Sequence, residues 1–172
     1  MNSVGRISVP PYSIPVRGYS LLETIVTIAV LGVLVTLAAP TFTALIAKNR
    51  VLAAAETILS DLRWARSEAI KRNVKVRVVF DPGNPWSYRV YADPGSANTL
   101  IKTFNGTTFP GSTLTSASFG SGSYTTFDPI RGINPNNGRV VLDMDDFSAT
   151  VTVSTLGRAR ICDAPGGYEP CP

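Results

Sequence analysis

Arg17-Gly18-Tyr19-Ser20-Leu21-Leu22-Glu23-Thr24 opens directly into an apolar run, and residues 24–47 carry no charged side chain. At about 1.5 Å of rise per residue, an uninterrupted helix of that length crosses a hydrocarbon core of roughly 30 Å. The architecture follows from this stretch: the chain begins with a membrane helix that has one acid, Glu23, near its start.

Upstream of the run the only charges are Arg6 and Arg17, and Pro10, Pro11 and Pro15 disfavour a continuous helix. A secretory signal places its small-residue cleavage site after the apolar region. Here Gly18 precedes it, so cleavage after Gly18 leaves the helix on the mature chain; the alternative is an uncleaved single-pass anchor. Arg6 and Arg17 favour a cytoplasmic amino end, although Lys48 and Arg50 beyond the run blunt the argument. Glu23 is costly in lipid unless paired or wet. Cleavage would free an amine at Tyr19, four residues earlier, as one partner; the other reading leaves the carboxylate at headgroup depth. Pro40 lacks an amide donor, which predicts a bend or a melted turn near residues 36–40.

Residues 48–172 suffice for one domain with a real core. Leu52, Ala55, Ile58 or Leu59, Leu62 and Ala65 recur at helical spacing over 49–73, with Arg50, Glu56, Asp61, Arg63 and Arg66 largely off the stripe. That face either receives a sheet or lies on a membrane, and the strand-rich sequence after it favours the sheet. Trp64 and Ile70 are expected at its rim. From Val74 the period becomes two: Val74, Val76, Val78 and Phe80 alternate with Lys75 and Arg77, and Asp81-Pro82-Gly83-Asn84 ends the strand. Trp86, Tyr88 and Val90 predict a second strand and Leu100 to Phe104 a third. Residues 105–138, rich in Gly, Ser, Thr and Asn, suit short strands and turns. Gly138 to Leu142 and Thr150 to Ser154 then read as strands across an acidic turn, Asp143 to Asp146.

The leader and first helix, with Gly18, Tyr19, Glu23 and Pro40, resemble the class III leader and N-terminal helix of type IV pilins and type II secretion pseudopilins. The resemblance implies cleavage after Gly18 by a membrane prepilin peptidase, methylation of Tyr19, where phenylalanine is usual, and Glu23 as the acid that docks the subunit into a filament. The phrase Ala65-Arg66-Ser67-Glu68-Ala69-Ile70-Lys71-Arg72 and the strands after it resemble the GspH/FimT-type pseudopilin domain. The implied fold is α+β and pilin-like: a leader over 1–18, the transmembrane part of a long N-terminal helix over 19–47, and an antiparallel β-rich head with the rest of the helix over 48–172. The implied location is the bacterial inner membrane, with the head in the periplasm.

Export to that compartment permits disulfides, and the two cysteines, Cys162 and Cys171, both lie in the tail, so they are expected to pair. Arg158 and Arg160 are two apart and share a face in extended backbone, while Gly157 allows a turn or a close approach. Two such guanidinium groups can contact phosphates, pair with an acid such as Asp128 or Asp163, or remain solvated. Gly157-Arg158-Ala159-Arg160 before Cys162 resembles the C-terminal Gly-Arg-x-Arg motif of FimT minor pilins, in which both arginines contact DNA. The resemblance implies a minor pilin whose partners are the prepilin peptidase, other pilins, the inner membrane and double-stranded DNA. The alternative is a structural pseudopilin of type II secretion.

Net charge adds little. The chain has 16 basic and 12 acidic residues, and loss of Arg6 and Arg17 with the leader leaves an excess of 16 − 2 − 12 = 2. Lys71, Arg72, Lys75 and Arg77 make a second basic group at the helix-to-sheet junction, where filament contacts are as plausible as DNA. The chain has no histidine and no visible base near a nucleophile, so no enzyme is expected. Asp143, Asp145 and Asp146 lack the glycine and closing glutamate of a calcium loop, so a solvated turn is expected and no metal or cofactor is assigned.

Overall fold

The computed structural model describes residues 18–120 and 122–171, with the side chains of Ala39 and Pro40 left aside. Apart from Gly18, the expected leader over 1–18 lies outside the described residues. Among those residues one helix, α1 (Leu21–Arg72), is followed by eight strands: β1 (Val76–Asp81), β2 (Ser87–Ala92), β3 (Thr99–Asn105), β4 (Thr113–Phe119), β5 (Tyr124–Phe127), β6 (Gly138–Met144), β7 (Phe147–Val153) and β8 (Ala159–Cys162). A 3-10 turn, Gly106–Thr108, lies between β3 and β4. The chain divides into two compact units at the Pro40–Thr41 boundary.

In the first unit α1 holds Leu21, Leu22, Ile25, Val26 and Ile28 exposed. The apolar window of the helix has a mean hydropathy of 2.4 and buries none of its residues, so the helix is long and apolar enough to cross a bilayer. The helix runs unbroken through residues 36–40, so the melted turn does not form. A proline removes one ladder hydrogen bond, and the turns on either side continue.

The second unit packs the rest of α1 and both sheets into one core. Along α1 the buried apolar positions are Ala47, Val51, Ala54, Ala55, Ile58, Leu62, Ala65 and Ala69. At its amino-terminal end the stripe therefore turns by one position from the expected phase: Val51 is buried and Leu52 only half-buried. The five alanines at 47, 54, 55, 65 and 69 keep the buried face small enough for β-strands to approach. Trp64 sits at the rim of the core as expected, whereas Ile70 is exposed.

Asp61 departs from its expected place on the polar side: it is 8% exposed. Two donors account for this burial: Tyr88 Oη donates to Asp61 Oδ2 at 2.6 Å and Lys102 Nζ to Oδ1 at 2.6 Å. Lys102 in turn lies 5.4 Å from the centre of the Trp64 ring. Burial, and then the Asp61 bond, hold the Tyr88 phenol protonated far above its ordinary range. Glu68 is the second acid on this side, bonded by Arg72 at 2.7 Å and Lys71 at 3.5 Å. The hydrogen bond from Arg72 keeps its carboxyl below the ordinary glutamate value.

The strands form two antiparallel sheets, ordered β3-β2-β1-β5 and β4-β6-β7-β8. Alternation on β1 buries Val76, Val78 and Phe80 as the period-two reading requires. The glycine- and serine-rich middle does form short strands, but they separate: β4 joins the second sheet and β5 pairs with β1 in the first. The β6–β7 hairpin is longer than expected, and its acidic turn shrinks to Asp145 and Asp146. Asp143 lies on β6 and accepts a hydrogen bond from Thr115 Oγ1. In this arrangement β8 is the outer strand of the second sheet, with Arg158 just ahead of it and Arg160 on it.

Candidate functional site

The carboxyl-terminal surface is built on the turn between β7 and β8. Gly157 N donates to Ser154 O at 2.9 Å and Ser154 N to Arg158 O at 3.0 Å, which closes the turn. Arg158 N adds a bond to Ser154 Oγ at 3.2 Å. Gly157 has φ +69°, and a Cβ there would stand 2.0 Å from Gly132 O. Its backbone therefore needs both left-handed freedom and the absence of a side chain. Asn134 N donates to Thr155 O at 2.9 Å, tying the turn to the segment after β5. From α1, Arg66 reaches the same place and donates through Nη2 to Arg131 O at 3.2 Å. The turn that presents Arg158 is thus fixed by contacts from a distant segment and from the helix.

Past β8 the chain is closed by the Cys162–Cys171 disulfide, with a Cα–Cα distance of 5.1 Å. Asp163 N donates to Glu169 O at 3.0 Å within the same loop. The expected pairing is present, and a loop this short restricts the unfolded chain by about 2.5 kcal/mol. The Cys162→Ser/Cys171→Ser variant is accordingly expected to lose about that much stability in urea, and the oxidised protein to lose a similar amount when reductant is added. Equal denaturation midpoints with and without reductant would contradict this.

Arg158 and Arg160 are both exposed and line one concavity of about 880 Å³. Neither guanidinium makes an ion pair among the described residues, and Asp128 and Asp163 are not partners of either. Of the three alternatives read from the sequence, the acid pairing is therefore not the one that forms. A residue the sequence reading did not single out, Arg139, lines the same concavity. It lies opposite Thr152 on β7, and Thr152 lies opposite Arg160 on β8. The neighbouring Val140, Val151 and Ile161 point inward and are buried. Strand alternation alone could have placed Arg139 outward on β6, but only the register brings it into line with Arg160.

In the second basic group three of the four side chains have partners within the described residues. Lys71 and Arg72 are held by Glu68, and Arg77 lies 4.7 Å over the centre of the Tyr124 ring. Among the described residues no three acidic, histidine or cysteine side chains cluster as a metal site would require.

At the other end of the chain Gly18 and Tyr19 are exposed ahead of α1. Glu23 N donates to Ser20 Oγ at 3.2 Å, and Thr24 N to Ser20 O at 3.2 Å. Ser20 thus caps the helix and sets Glu23 in its first turn, where a carboxylate also meets the positive end of the helix dipole. The signal for this was in the sequence as Ser-x-x-Glu ahead of an apolar run.

Residues 54–157 match the family described as type II transport protein GspH. Residues 15–39 match the prokaryotic N-terminal methylation motif. Over 165 residues the chain is 30% identical to the pilin-like protein PilA1 of Thermus thermophilus, covering 84% of this chain and 97% of that protein. Its fold is similar to a crystal structure of the type IV minor pilin FimU of Pseudomonas aeruginosa, with a TM-score of 0.53 and 20% identity over 66% of this chain and 89% of that one. A second crystal form of FimU gives a TM-score of 0.50 at 18% identity, over 64% and 90% of the two chains.

Proposed function

The chain belongs to the GspH family as a type IV minor pilin or pseudopilin, and from that premise we propose that it is built into a type IV pilus, where Arg158 and Arg160 bind DNA for uptake. In this reading a prepilin peptidase cleaves after Gly18 and methylates Tyr19. Glu23 docks the subunit among other pilins, Pro40 adjusts the path of the helix in the packed filament, and the head faces the periplasm before assembly. The methylation-motif match over residues 15–39 supports the processing steps.

The observation that carries the DNA reading is the pair of exposed arginines, unpaired among the described residues, on one concavity whose described lining holds no acid. Guanidinium groups in that setting can bind phosphates and release their counterions, which gives salt-dependent affinity with no reading of base sequence. The match to type II transport protein GspH supports the second reading, a pseudopilin whose head contacts other secretion components.

Shearing surface filaments from cells that express the chain tests the proposal. The wild-type chain and the Arg158→Gln/Arg160→Gln variant are expected in the sheared pili, and Glu23→Ala is expected to be missing. DNA uptake is expected to fall in both variants. Absence of the wild-type chain from pili, or undiminished uptake in the arginine variant, would overturn the proposal.

A further inference from the structure

The outer face of the second sheet carries a polar row that crosses all four strands. Ser118 on β4 lies opposite Arg139 on β6, Arg139 opposite Thr152 on β7, and Thr152 opposite Arg160 on β8. With neighbouring strands about 4.8 Å apart, the backbones at Arg139 and Arg160 are roughly 10 Å apart, and those at Arg158 and Arg160 roughly 7 Å. The three side chains therefore start from the corners of a triangle wide enough for their guanidinium groups to reach separate phosphates. Between them are hydroxyl and amide groups, including Ser154 and Asn137, and the described lining contains neither an acid nor an aromatic ring.

Each part of that composition bears on the ligand. Proteins that hold single strands stack bases on aromatic side chains, and the described lining of this concavity has none; Tyr168 lies with Arg160 and Glu56 on a separate concavity. Arginines that read bases need an element that enters a groove, whereas Arg139 and Arg160 rise from a sheet face and Arg158 from the short turn ahead of β8. What remains is contact with phosphate oxygens, to which serine, threonine and asparagine also donate.

Resting on the DNA-binding reading above, we infer that Arg139 is a third phosphate-binding residue, and that the Arg139–Thr152–Arg160 row together with Arg158 grips the backbone of duplex DNA without touching its bases. Arg139 is exposed and makes no ion pair among the described residues, so its charge is available to a ligand. Its neighbour Val140 is fully buried, which fixes the strand beneath it.

The test is a titration of two unrelated duplexes of equal length with the detergent-solubilised full chain at several salt concentrations. Each phosphate contact contributes about 0.9 to the slope of log affinity against log salt, so the wild-type slope is expected near −2.7. Arg139→Gln is expected to bring it to about −1.8 and to weaken both duplexes alike, by roughly threefold. Arg139→Lys retains the charge and is expected to keep the wild-type slope, and Lys75→Gln, a charge removed elsewhere, is expected to leave it unchanged.

If neither the wild type nor any variant binds, the DNA reading itself fails. If Arg158→Gln/Arg160→Gln weakens binding while Arg139→Gln keeps the full slope, that reading stands and the role of Arg139 falls. A loss confined to one duplex, a lowered slope in Arg139→Lys, an equal loss in Lys75→Gln, or tighter binding of single strands than of duplex would also overturn the inference.

Discussion

Replacing Gly157 by alanine is expected to destabilise the second unit by roughly 3 kcal/mol, the joint cost of a left-handed non-glycine residue and an overpacked contact. Its Cβ would meet Gly132 O at 2.0 Å, and a backbone carbonyl cannot rotate out of the way as a side chain can. Gly132 makes the useful comparison. It too has a positive φ, +63°, but the atoms its Cβ would meet, the nearest at 2.6 Å, belong to the long side chain of Arg66. Gly132→Ala is therefore expected to cost less. For a unit of this size a loss of about 3 kcal/mol lowers the thermal midpoint by about 10 °C. A Gly157→Ala midpoint indistinguishable from the wild type would show that the turn is not clamped as described. The same clamp sets the direction in which Arg158 leaves the turn, so a folded Gly157→Ala protein is also expected to bind polyanions less well.

Trp86→Ala is expected to cost still more, about 4 kcal/mol in a denaturant titration. The indole is fully buried and stacks against Phe104, Tyr88 and Phe109, with ring centres 5.6, 6.3 and 6.4 Å away. Its Nε1 donates to Ser112 Oγ at 3.0 Å, and that hydroxyl donates on to Phe109 O at 2.7 Å. Gly106 closes the site from one side, since a Cβ there would fall 2.4 Å from the ring. Truncation leaves a cavity between the 3-10 turn and the helix-facing core and removes a partner from Ser112. Trp86→Phe keeps most of the volume and is expected to lose less than half as much. A loss below about 1 kcal/mol for the alanine variant would mean that the aromatic cluster is not packed as found.

Local periodicity made much of this fold legible. The uncharged run after Glu23, the helical spacing through Leu62 and Ala65, and the alternation at Val76, Val78 and Phe80 each follow from one element's own pattern. What they could not give is pairing between distant elements. Asp61 looks like a solvent-facing acid until Tyr88, 27 residues away, donates a hydrogen bond to it and Lys102, 41 residues away, pairs with its charge. The phase of α1 at Val51 and Leu52 depends on where the sheets press, which no helix wheel contains. Likewise β5 joins β1 from beyond three intervening strands, and nothing local in Tyr124 to Phe127 names that partner.

The candidate site divides in the same way. Arg158 and Arg160 stand out because a two-residue spacing shares a face in extended backbone, and Gly157 marks a turn. The close approach of Gly132 that makes this glycine necessary is a long-range contact, as is the register that lines Arg139 up with Arg160. The tail cysteines were legible by count and compartment. Ser20 was not singled out, although Ser-x-x-Glu ahead of an apolar run carries the signal of a cap; its bond from Glu23 N lies at the residue proposed to dock the subunit into a filament.

DNA contact through the two tail arginines is decided by the affinity of the oxidised, detergent-solubilised chain for duplex DNA across a range of salt, wild type against Arg158→Gln/Arg160→Gln. Salt-sensitive binding by the wild type is expected, weakened roughly tenfold or more in the variant and with a shallower salt slope, at an unchanged thermal midpoint. Undiminished binding by a folded variant would contradict the assignment of DNA contact to these arginines.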